Sequence, residues 1–141
     1  MVFKKILISI NLLTINPLNP KLMQKNRYLS LTVQAIYVCI TALQLIFIPN
    51  TLLGMFGFEP TSEIWIKVFG VVLLSLAVVY YGIIEYGNNE VVSFTIWSRL
   101  LVGTGFTIMA ITDVAPITLI LFAGIDVATA IWTWFELKKQ A

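Results

Sequence analysis

Arg99 and Asp126 are the residues of this chain whose types and placement could do chemistry, because each interrupts a long apolar stretch, residues 91–111 and 117–135 respectively. Placing such a charge at the centre of a membrane helix costs about 2.5–3.5 kcal/mol on insertion scales, so it faces the bundle or water and finds a partner. The two charges are opposite. Counted from the turn near Ala115, their depths differ by about 7 Å at 1.5 Å per residue, and an extended arginine side chain covers most of that. Ala123, Thr129, Ala130 and Thr133 near Asp126, and Thr95 and Gly103 near Arg99, are small. Small residues let membrane helices approach closely, which would bring the charges together. Gly70 and Gly82 offer similar contacts on the preceding stretch. The result is a candidate intramembrane polar pair with two readings: it fixes helix register, or it forms the base of a polar pocket for a ligand or a proton.

Other chemistry is narrowed by absence. The sequence has no histidine, which removes imidazole bases, histidine-ligated haem and the usual zinc and di-iron ligand sets. Cys39 is the sole cysteine; with no CxxC partner it reads as a small apolar residue. There is no Gly-rich phosphate loop, GxSxG or HExxH, and the net charge of +2 comes without a basic face interleaved with aromatics. No catalytic residue, metal site, cofactor or nucleic-acid partner is expected.

The elements that must position the pair follow from composition. Of 141 residues 59% are hydrophobic and 11% charged, and the mean hydropathy is +0.92. Water-soluble domains carry about 25% charged residues, so the solvent expected here is lipid. Four apolar runs, residues 29–48, 64–84, 91–111 and 117–135, are each close to the ~20 residues that cross a bilayer as helix. They are continuously apolar rather than alternating, which excludes a barrel. Turn chemistry separates them at Pro49-Asn50, Glu59 to Ser62, Gly87 to Asn89 and Asp113 to Pro116. The expectation is an all-α bundle of four transmembrane helices in two hairpins over 28–137, with a short tail, 138–141.

Seven of the nine cations lie before the first run or after the last: Lys4, Lys5, Lys21, Lys25, Arg27, Lys138 and Lys139. Four spans put both ends on one side, and the positive-inside rule makes that side cytoplasmic. The outer loops carry Glu59, Glu63 and Asp113, with Lys67 at the edge of the second run. Trp65, Phe56 and Phe58 would then lie at the outer interface and Tyr81, Tyr86, Trp97, Trp132 and Trp134 near the inner one, as lipid anchors. Glu85 and Glu90 read as solvated. Residues 1–27 form a basic segment that is interfacial or loosely ordered. A signal sequence and an upstream extension before a start at Met23, which would place residues 1–22 outside the native chain, are the alternatives.

Leu52 to Phe58 (LLGMFGF), Trp65 to Gly70 (WIKVFG), Arg99, and Asp126 followed by Thr129 and Trp132 together resemble small bacterial four-helix membrane proteins of the BphX-like or DUF4345-like group, near the broader DoxX-like proteins. The resemblance covers roughly residues 28–137. It implies the architecture and a bacterial inner membrane rather than an activity; the DoxX-type glycine and acidic pattern of the second helix is not evident here. Three functional readings follow. The first is a non-enzymatic bundle or accessory subunit, as a homo-oligomer or in a larger membrane complex. The second is a binder or carrier of a lipid, quinone or other hydrophobic molecule at the Arg99/Asp126 site. The third, an intramembrane enzyme, lacks a nucleophile, base or metal set. A pocket beside Asp126 would favour the second reading, and a tightly packed pair the first.

Overall fold

The computed structural model describes residues 28–140, and the expectations for residues 1–27 lie outside them. The described residues are helical, without strands: α1 Leu29–Phe47, α2 Pro49–Met55, α3 Trp65–Tyr86, α4 Asn89–Ile111, a 3₁₀ turn Ile117–Leu119, and α5 Ile120–Lys138. α1, α3, α4 and the 3₁₀ turn with α5 are long and apolar enough to cross a membrane, and they stand where the four apolar runs predict.

The element boundaries follow local chemistry. Pro49 does more than stop α1: it occupies the first turn of a second, short helix, where its missing N–H is no loss. The stretch expected as an outer loop therefore begins with α2. That helix closes through Gly57, whose φ of 76° is left-handed. Phe58 N–H donates to the Leu53 carbonyl at 3.0 Å and Gly57 N–H to Gly54 at 3.2 Å, the paired bonds of a glycine C-terminal cap. Asn88 caps α4 by accepting from Val91 N–H at 2.9 Å, with Glu90 in the first turn. Asp113, at φ 56°, turns the chain at the far end of α4, and Val114 N–H returns to the Met109 carbonyl at 3.0 Å.

Two antiparallel hairpins result, α1 packed on α3 and α4 on α5, and they join where α1 meets α5. α3 and α4 do not pack along their lengths although a short turn links them. Glycines set both hairpin contacts, because lipid supplies no hydrophobic force between helices and close packing must replace it. A Cβ on Gly70 would stand 2.9 Å from Ile46 Cγ1 and 3.1 Å from the Ala42 carbonyl oxygen; one on Gly103 would stand 2.9 Å from Val127 Cγ2 and 3.3 Å from the Ala123 carbonyl. Gly82, in contrast, has nothing within 4 Å, so of the two glycines expected to make contacts on this helix only Gly70 does. Gly70→Leu should cost about 1–3 kcal/mol by overpacking, read as a lower melting temperature in detergent, whereas Gly82→Ala should not lower it.

The aromatic residues divide into two groups. Trp65, Tyr81, Tyr86, Trp97, Trp132 and Trp134 are exposed on the outside of the bundle, and Lys138 Nζ lies 3.8 Å from the Trp134 ring centroid. Phe56 behaves otherwise. It turns inward and stacks on Phe122 at 4.1 Å between centroids, held there by a hydrogen bond from the Thr118 hydroxyl to its carbonyl. Lys67, Glu85 and Glu90 are exposed, and Cys39 is half-buried against the α1/α3 core.

Candidate intramembrane binding site

The α1/α5 contact is a seam of polar side chains spaced one helical turn apart. Ser30 and Gln34 on α1 meet Thr133, Glu136, Thr129 and Asp126 on α5. At its outermost rung Glu136 accepts from the Ser30 hydroxyl at 2.6 Å and from the Ser30 backbone N–H at 3.3 Å. A carboxylate thus satisfies an orphan donor in the first turn of α1 and opposes the helix dipole. Ser30 Oγ also lies 2.7 Å from Thr133 Oγ1. One turn deeper Gln34 is 2% exposed: its amide N–H donates to Asp126 Oδ1 at 2.7 Å, and its carbonyl accepts from the Thr129 hydroxyl at 2.8 Å.

Arg99, across the bundle on α4, is 1% exposed. Its Nε donates to the Thr95 carbonyl at 3.2 Å and its Nη2 to the Thr95 hydroxyl at 2.8 Å, while Thr95 in turn donates to the Val92 carbonyl at 2.7 Å. The guanidinium is thereby folded back along its own helix. Nη1 is buried with no hydrogen-bond partner, the one such side-chain atom among the described residues. Tyr80 of α3 lies beside it.

Arg99 and Asp126 therefore share a site without touching. The small residues expected to flank them, Thr95, Gly103, Ala123, Thr129, Ala130 and Thr133, are all buried, yet no ion pair within 4.0 Å joins the charges. Gln34 holds Asp126 on the seam, and Thr95 holds Arg99 on α4. Asp126 Oδ2 makes no protein hydrogen bond and is not sealed off. Gln34 was not singled out from the sequence; the signal that could have found it is that it is one of only two amides, with Gln44, in an otherwise apolar or hydroxylated first run.

Between the charges lies a cavity of about 730 Å³, within the roughly 300–1,000 Å³ typical of small-molecule sites. It occupies the gap where α3 and α4 fail to pack. Gln34, Tyr37, Tyr80, Ser98, Arg99 and Asp126 form its polar end, near the middle of the bundle. Leu73, Leu76, Val102, Phe106, Met109 and Phe122 make its apolar walls, with Phe106 edge-on to Phe122 at 6.5 Å. Phe56, Gly57, Phe58, Ala115 and Pro116 border it at the α2 end. Phe69 and Val102, on facing sides of the gap, line it and are 44% and 39% exposed, which places an opening between α3 and α4. No group of histidine, cysteine, aspartate or glutamate among the described residues could hold a metal ion.

Fold and site together define a small four-helix membrane protein with an internal, mostly apolar cavity that ends on buried charge. Comparison with family models, with curated proteins and with solved structures finds no match.

Proposed function

We propose that the protein binds a hydrophobic small molecule within the membrane, its apolar part between α3 and α4 and its polar end at Arg99 and Asp126. The observation that carries this reading is the buried Arg99 Nη1 without a partner at the polar end of a 730 Å³ cavity. A guanidinium N–H left unpaired in a low-dielectric site is costly, and a ligand acceptor would remove that cost. A bundle serving only as scaffold has no use for the gap, and it would be expected to close Arg99 directly onto Asp126. A lipid or another elongated hydrophobic molecule suits the walls. The resemblance to the BphX-like and DoxX-like group agrees with the four-helix architecture and is part of this proposal only to that extent.

The test is native mass spectrometry of protein purified gently from its own membrane, beside the variant Leu76→Trp, which fills the cavity from α3. The wild type should carry a bound hydrophobic molecule that Leu76→Trp lacks while its helical circular dichroism stays that of the wild type. Wild-type protein that carries nothing, and takes up nothing from added lipid extract, would overturn the reading.

We further propose that the end of the bundle bearing α2 faces outward and that both termini are cytoplasmic, as expected for a bacterial inner membrane. Lys138 and Lys139 against Glu59 and Glu63 support it. A cysteine replacing Ser62 should label with an impermeant maleimide in intact cells, and one replacing Lys138 only after lysis. Labelling of both in intact cells would refute the four-span topology.

A further inference from the structure

We infer that the head group received at Arg99 and Asp126 is uncharged and both accepts and donates hydrogen bonds, as a primary amide or a hydroxylated carbonyl does. This rests on the reading of the cavity as a ligand site. Arg99 is a donor only and Asp126, ionised, an acceptor only. Each has spent part of its capacity on the protein: Nε and Nη2 on Thr95, Oδ1 on Gln34. Left over after these bonds are one donor without a partner, Nη1, which is buried, and one acceptor, Oδ2, on two residues that both line the cavity.

Their charges sum to zero, and they stand more than 4.0 Å apart with Gln34 and Thr95 keeping each in place. A ligand anion would gain Arg99 but bring a second negative charge to Asp126. A ligand cation would do the reverse. In a site this buried either excess is expensive, since Coulomb energies rise as the effective dielectric falls. A neutral head turning a carbonyl oxygen toward Nη1 and an N–H or O–H toward Oδ2 satisfies both and leaves the balance intact. The surroundings fit such a head: the polar groups near it in the lining, among them Gln34, Tyr37, Tyr80 and Ser98, are uncharged, and the remaining charged residue of the lining, Glu59, belongs to the α2 end.

The test compares three probes with the same fourteen-carbon tail, tetradecanamide, tetradecane sulfonate and tetradecylammonium. Each is added to the full chain in phosphatidylcholine nanodiscs at pH 7.5, with bound adducts counted by native mass spectrometry. The amide should bind at least tenfold more tightly than either ion. Asp126→Asn removes the negative charge and should move the preference to the sulfonate; Arg99→Gln should move it to the ammonium. Should the sulfonate or the ammonium match the amide on the wild type, or should both variants keep the amide preference, the uncharged-head inference is overturned while the cavity remains a ligand site. If none of the three binds the wild type, the inference falls and, where no molecule co-purifies with the protein either, the binding reading falls with it.

Discussion

Asp126→Leu should destabilise the protein by about 1.5–3 kcal/mol, the contribution typical of a hydrogen bond to a charged group, with snorkelling and water defects setting the lower end in a bilayer. The change leaves the buried Arg99 guanidinium without the carboxylate at its end of the cavity, and it leaves the Gln34 amide without the acceptor that sits 2.7 Å away. The melting temperature in detergent should fall steeply. Arg99→Leu combined with Asp126→Leu removes both charges and should recover a large part of the loss, because apolar replacements of a buried pair are often neutral or better. Recovery should be incomplete, since Gln34 still lacks its acceptor. An unchanged melting temperature for Asp126→Leu would show that the two charges do not depend on one another.

Gln34→Leu is the second large effect expected. Neutral contacts between membrane helices average about 0.6 kcal/mol, but a bond to a charged group contributes about 1.5–3 kcal/mol. Leucine at this position strips Asp126 of its only protein donor, and the loss should lie in that higher range. Thr129→Val gives the comparison. The Thr129 hydroxyl reaches Gln34 but also the Ile125 carbonyl of its own helix at 2.9 Å, so its removal should cost much less. Equal shifts in melting temperature for the two variants would contradict the central place given to Gln34.

The hairpins were legible in the sequence because bilayer thickness and turn residues leave little freedom. Four runs of about 20 apolar residues broken at Gly87-Asn88 and Asp113 to Pro116 admit few arrangements. Arg99 and Asp126 were legible because their insertion cost demands an explanation. Gln34 was not: an amide costs less to insert than a charge, and its importance depends on the register of α1 against α5, which hydropathy does not encode. The inward turn of Phe56 was equally hidden. An aromatic residue beside a membrane surface normally reads as an anchor, and only the left-handed turn at Gly57 and the bond from Thr118 direct its backbone toward Phe122. The cavity itself arises from the failure of α3 and α4 to pack, which no periodicity announces.

The two-hairpin plan also sets an order of assembly. Helix contacts within each hairpin join neighbours in the chain and require only short loops to close, whereas the α1/α5 seam brings together residues as distant as Ser30 and Glu136, where closure entropy is greater. The seam should therefore form last, between units already built. Severing the backbone between Gly87 and Asn88 would leave both units whole. What then reunites them in hydrocarbon is the matched row of donors and acceptors running from Ser30 and Glu136 to Gln34 and Asp126, which acts as a recognition code between two halves of one chain.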